Sequence, residues 1–153
     1  MDDKRRDLLR VGSAVAAFFA AGLLKPLAAL AANWNKEAFS AKNSIDALKS
    51  IGTPNAESSS AIAIEAPQIA ENGAVVPIEV TSKIPGTTAI AVLVEKNPYP
   101  LVARFQFMEG ALPFVKLNAK MAETSDVRVI ATAGGKNYTA TREIKVTIGG
   151  CGG

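Results

Sequence analysis

Residues 115–121 read VKLNAKM. In an extended chain Val115, Leu117, Ala119 and Met121 point to one side and Lys116, Asn118 and Lys120 to the other, because successive side chains of a strand alternate between faces. A helix of 3.6 residues per turn would scatter the same set around its axis. The stretch is therefore a strand with one buried face, and the period of two recurs on both sides of it. Upstream, Ile62 and Ile64 alternate with small residues from Ser60 onward. Val76, Ile78 and Val80 follow the turn ENG at 71–73, and Ile90, Val92 and Val94 share a parity after Pro85-Gly86. Ala103, Phe105 and Phe107 do so after NPYP at 97–100. Downstream, Val127 and Val129 lead to Gly134-Gly135, a hairpin signal. A last strand from about Tyr138 sets Ile144, Val146 and Ile148 inward. About seven short strands with regular turn signals predict a mainly β protein, an immunoglobulin-like antiparallel β-sandwich. Pro77 inside a strand predicts an edge or a bulge.

One segment has a different period. NWNKEAFSAKNSIDALKSIG (33–52) reads as helical, with Ser44 as N-cap, Asp46 in the first turn, and Ile45, Leu48 and Ile51 on one face. Gly52 and Pro54 stop it. TPNAESSS (53–60) reads as a polar connection.

The first residues read as an export leader. MDDKRRDLLR contains Arg5-Arg6 and Leu8-Leu9, and an uncharged, mostly apolar run follows from Val11 to Leu24. Lys25-Pro26 interrupts that run before the ~20 residues a membrane span needs. Ala29-Leu30-Ala31 supplies a small-residue cleavage signal. The twin arginine favours the Tat route. The expected division is a signal peptide over 1–31, a helix plus sandwich over 32–148, and a flexible arm over 149–153. The leader holds five of the 17 basic and three of the 14 acidic residues, leaving 12 against 11 in the mature chain. No net positive field remains to bind nucleic acid or, after cleavage, a membrane surface.

Much chemistry is excluded by composition. The chain has no histidine and a single cysteine. Histidine-based acid–base catalysis, Ser-His-Asp and Cys-His sites, His-ligated metal or haem, and thiolate-built zinc or iron–sulfur sites are all out of reach. There is no glycine-rich phosphate loop. The acidic residues fall as singles on alternating positions, as on a solvated face. The expectation is a protein that is not an enzyme and binds no cofactor or metal of its own.

The one thiol stands in IGGCGG, residues 148–153: Cys151 is flanked by Gly149 and Gly150 before it and Gly152 and Gly153 after it. Glycine opens backbone space closed to other residues and adds no side chain. Such a tail can extend about 15–18 Å beyond Ile148 and enter a narrow channel in another protein. Nothing in the neighbouring sequence lowers the thiol pKa, and the terminal carboxylate disfavours the thiolate. The thiol is expected to be accessible but activated only by a partner. An incidental cysteine on a disordered tail and a disulfide handle for dimers through Cys151 remain open as alternatives. A prenylation box is not met, since only two residues follow Cys151. Ubiquitin-like sulfur carriers also end in Gly-Gly, but the export leader and the uninterrupted run of strands argue against them.

Taken together, WNKEAFSAK (34–42), ALKSIG (47–52), APQIAENGAVVPIEV (66–80), LVEKNPYPL (93–101), KMAETSDVR (120–128) and the terminal GGCGG resemble the sulfur-carrier Y subunit of the Sox thiosulfate-oxidising system. The resemblance covers nearly the whole chain. It implies a periplasmic protein that pairs as a heterodimer with a smaller Z subunit of related fold, carried across the membrane by this leader. It implies Cys151 as the covalent attachment site. The AX haem cytochrome would join thiosulfate to it as an S-thiosulfonate, the B hydrolase would release sulfate and leave a persulfide, and a molybdenum dehydrogenase, where present, would oxidise the outer sulfur. IAENGAVVP is expected to form a turn and strand start in which Asn72-Gly73 supplies unusual dihedrals. EKNPYP and KMAETS are expected as loop or edge segments, structural or open to partners.

Overall fold

The computed structural model describes residues 35–147. Two short helices come first, α1 (Lys36–Ser40) and α2 (Ser44–Ser50). Nine strands follow among the described residues: β1 (Glu57–Ser58), β2 (Ile62–Glu65), β3 (Ile69–Ala70), β4 (Val76–Ser82), β5 (Thr87–Val94), β6 (Leu101–Gln106), β7 (Phe114–Ala119), β8 (Ser125–Ala133) and β9 (Lys136–Val146). Seven of them have four residues or more and match the strands read from the alternation. The two-residue strands β1 and β3 were not foreseen. Both pair parallel with β9, at Glu57↔Tyr138 and Ile69↔Lys145. A parallel pair of that length leaves no periodic trace in sequence.

The strands form two sheets, one in the order β1-β9-β8-β5-β6, with β3 also on β9, and one in the order β2-β4-β7. Their inner faces enclose the main core. Val76, Ile78 and Val80 of the small sheet meet Ile90, Val92, Val94, Val127, Val129 and Ile144 of the large one, all fully buried. These are the inward sets the alternation predicts. Gly134 and Gly135, at φ 56° and 75°, make the two-residue turn from β8 to β9, whose twist suits a right-handed ribbon.

A second core lies on the other face of the large sheet. Ala91, Leu93, Leu101 and Ile130 pack there against Ala38, Ala47, Leu48 and Ile51 of the helical segment. Strand β5 is therefore buried on both faces, and its run AIAVLV is continuous rather than alternating for that reason. The change of face within β6 has a local cause. Val92 pairs with Ala103 but Leu93 with Leu101, so Val102 is an extra residue. This bulge turns Leu101 to the helices while Val102, Phe105 and Phe107 pack on the main core.

Three sequence expectations need correction here. The helical segment is two helices, because Ala41 at the end of α1 is extended (φ −61°, ψ 138°). The N-cap of α2 is Asn43, whose Oδ1 accepts from Asp46 N at 2.9 Å. Ser44, the residue expected there, is buried and bonds Glu95 Oε2 instead, while Glu95 Oε1 meets Arg128 Nε at 2.9 Å. That chain of contacts ties α2 to the sheet. Ile45 is 66% exposed, so the buried face of α2 is Ala47, Leu48 and Ile51. The helix closes as expected, with Thr53 N donating to Leu48 O and Gly52 N to Lys49 O. Pro77 sits on β4, the central strand of the small sheet, yet beyond the last β2 pair, Glu65↔Glu79. It faces a strand only on the β7 side and so occupies a local edge, as a proline must.

The second core makes a test. Ile130→Ala is expected to cost about 2–5 kcal/mol by removing a 2%-exposed side chain from between helix and sheet. Ile45→Ala is expected to stay within about 0.5 kcal/mol. Urea unfolding of the two variants reads the difference.

Candidate functional site

Strand β9 runs toward Cys151, and its last residues are where sequence and structure converge. Cys151, Gly149, Gly150, Gly152 and Gly153 lie outside the described residues, as do Arg5 and Arg6, Ile148, which was expected to face inward, and the expected signal peptide. The described chain ends at Thr147. Cys151 follows it by four residue steps, a span of at most about 13–14 Å.

The root of that segment is bonded on both sides. The last pair between β8 and β9 is Ser125↔Ile144, so β8 offers no partner beyond it. Thr124, one residue before β8, replaces the missing strand. Its Oγ1 accepts from Val146 N at 3.0 Å and lies 3.5 Å from Val146 O. On the opposite edge β3 takes over: Lys145 N donates to Gln68 O at 3.0 Å and Thr147 N to Ala70 O at 3.1 Å. Successive amides of a strand face opposite edges, and each of the three finds an acceptor on its own side.

Beneath Val146 lies Gly73. Its φ is not positive, so the expectation of an unusual dihedral there is not met. Its role is close approach. A Cβ at this position would overlap the Met121 carbonyl oxygen and stand 2.9 Å from Val146 Cγ1. Gly73 O in turn accepts from Met121 N at 2.7 Å. Asn72 shapes the turn with its side chain, Oδ1 accepting from Ala74 N at 2.9 Å. Met121 is buried at the end of the alternating stretch that opens the sequence reading.

The other two quoted loops meet at the same end. Asn97 Nδ2 donates to Lys120 O at 2.7 Å, and Asn97 Oδ1 accepts from Ala122 N at 3.3 Å. Lys96 N donates to Ser125 Oγ at 3.1 Å. IAENGAVVP, EKNPYP and KMAETS thus bond to each other around the base of the C-terminal segment. Periodicity shows none of this, since the contacts are single residues far apart in sequence. The one available signal was that three irregular stretches carried the resemblance.

The electrostatics at this end are mild. Lys42 Nζ donates to Tyr99 Oη at 2.9 Å and lies 4.1 Å from the ring centroid. That ammonium lowers the Tyr99 phenol below its usual value. On the small sheet, Glu79 beside Lys116 Nζ raises that ammonium. Among the described residues no group of three or more side chains could hold a metal ion, and no helix is long and apolar enough to cross a membrane.

Comparison with known proteins follows the same lines. The sulfur carrier protein SoxY from Chlorobium limicola f thiosulfatophilum is similar in structure at TM-score 0.60 and 43% identity, over 67% of this chain and 96% of that one. A superoxide reductase (neelaredoxin) from Ignicoccus hospitalis reaches TM-score 0.51 at 20% identity, over 56% of this chain and 80% of its own, which speaks for the fold alone. No curated protein matches the sequence significantly. The family described as sulfur oxidation protein SoxY matches residues 48–151, a span that takes in both halves of the sandwich, the bonded root and Cys151. The chain belongs to the SoxY family of sulfur oxidation proteins.

Proposed function

We propose that the protein is a periplasmic sulfur carrier of thiosulfate oxidation that holds its cargo covalently on Cys151 and leaves the chemistry to partner enzymes. The observation that carries this reading is a sole thiol, set among four glycines, four positions after Thr147, the bonded residue that follows β9, in a chain of this family. With no histidine to act as base, the thiol depends on a partner for activation. Loading forms an S–S bond between Cys151 and the outer sulfur of thiosulfate, releases the thiol proton, and sends two electrons to a haem acceptor, the AX cytochrome. Hydrolysis by the B enzyme then breaks the sulfur–sulfonate bond with one water, releasing sulfate and leaving a Cys151 persulfide. A molybdenum dehydrogenase, where the organism has one, oxidises that outer sulfur. Tethering keeps the intermediates from escaping while each site is visited.

The same reading places a Z subunit beside this chain, and export through the Tat route by the leader that carries Arg5 and Arg6. It assigns Gly149, Gly150, Gly152 and Gly153 to a slender carrier arm, since glycine adds no side chain to obstruct a channel. The mature chain would start after Ala31.

Intact mass spectrometry of the protein from cells oxidising thiosulfate tests it. Adducts of sulfur or thiosulfonate on Cys151, removed by reductant, are the expected result. A bare thiol under those conditions, or a disulfide dimer as the sole working form, goes against the carrier.

A further inference from the structure

We propose that Tyr99 is a docking anchor for the enzymes that work on Cys151, an inference that rests on the carrier reading above. Covalent geometry alone keeps Cys151 within about 13–14 Å of Thr147, whatever path the chain takes between them. Every ångström by which the thiol enters an enzyme is taken from that limit. The rim of an enzyme with a recessed reaction centre is therefore drawn against the surface around Thr147, and the side chains exposed there contribute to its affinity.

Bonds between the loops locate Tyr99 at this end. Val146, next to Thr147, is bonded by Thr124. Asn97 bonds Lys120 O and Ala122 N in the same loop as Thr124, and Tyr99 stands two residues after Asn97. On the opposite edge of β9, Ile69 lies across from Lys145 and is exposed, as is Val75. Met108 and Leu112 are more exposed still, but they belong to the other end, where Phe107 N donates to Thr88 O, Ser82 N donates to Pro113 O, and Thr87 pairs with Ala133 beside the turn into β9. The eleven residues of β9 set the two ends apart by about 33 Å, more than twice the limit on Cys151. Tyr99 is also held in place. Asn97 and Tyr99 each precede a proline, which biases both toward extended backbone, and Pro100 is fully buried. Lys42 Nζ bonds Tyr99 Oη at 2.9 Å and lies 4.1 Å from the ring centroid. A ring fixed in this way loses little further freedom when it is covered, and tyrosine brings an apolar face and a polar tip to an interface. The partner it fits has an apolar lip at the mouth of its channel and an acidic group to meet the Lys42 ammonium.

Reduction of the AX haem by thiosulfate, followed against carrier concentration, tests the anchor. Tyr99→Ala is expected to raise the KM for the carrier about tenfold at constant kcat, because docking weakens while the chemical step stays with the enzyme. Lys42→Ala leaves the ring but frees it, and raises KM about two- to threefold. Tyr99→Phe keeps the ring and stays within about twofold of the parent. Met108→Ser, at the far end, leaves KM unchanged. All four variants are expected to melt with the parent; should Tyr99→Ala melt early, Lys42→Ala decides. A parental KM in Tyr99→Ala overturns the proposal, as does an equal rise in Met108→Ser. Loss of pairing with the Z subunit in Tyr99→Ala, seen by size-exclusion chromatography, assigns this surface to that subunit and overturns it too. Each of these results leaves the carrier reading standing if the parent chain still gathers reductant-removable adducts on Cys151. A parent chain that gathers none removes both.

Discussion

Cys151→Ser is expected to bring thiosulfate oxidation in the reconstituted system down to the rate without any carrier. The substitution changes one atom, beyond the described sandwich, in a chain that has no other thiol. A serine hydroxyl is scarcely ionised at neutral pH and cannot form the S–S bond on which loading depends. The variant should unfold at the same temperature and urea concentration as the parent, which separates loss of function from loss of fold. Reduction of the haem acceptor by thiosulfate is the direct readout. Substantial reduction with the serine protein would mean that sulfur travels by another route, and the assignment of Cys151 would have to be abandoned.

The largest effect on stability is expected at Gly73. Gly73→Ala adds a single carbon, but that carbon meets the Met121 carbonyl, a backbone atom that cannot rotate away, and Val146 Cγ1 at 2.9 Å. Relief requires the turn at 72–75 to separate from the end of β7 or from β9, and either move strains the Met121 N to Gly73 O bond of 2.7 Å. The expected cost is about 2–3 kcal/mol, a fall in melting temperature on the order of 10 °C for a domain of this size. Calorimetry checks it. Because Gly73 has no positive φ, the cost comes from contact alone. A stable Gly73→Ala protein would show that the three elements are less tightly joined than the distances state.

These two residues differ in how they could be recognised. Cys151 is conspicuous because its composition is unusual: one thiol among glycines at a terminus needs no neighbour in space to be noticed. Gly73 looks like an ordinary turn glycine, and the reason for it sits 48 residues away at Met121 and 73 away at Val146. Thr124 is further from notice still, a threonine in a polar loop whose partner is a backbone amide. The sequence leaves EKNPYP and KMAETS open between structure and partner recognition, and Asn97 has at least one structural duty, bridging Lys120 and Ala122.

What could be read directly from the chain was whatever repeats locally. Alternation marked the inward faces of β4, β7, β8 and β9, turn glycines marked the hairpin, and the missing histidines ruled out whole classes of chemistry. Each depends on a residue and its near neighbours, or on composition alone. The second core, the bulge that turns Leu101 toward the helices, the parallel strands on β9 and the bonded root of the Cys151 segment were decided by the folded chain. They arise when segments far apart in sequence compete for the same space or the same hydrogen-bonding group. Such pairings have no period, so nothing short of the assembled sheets could show that the loops at 69–77 and 120–125, the second braced by the loop at 95–100, hold the strand that precedes the thiol.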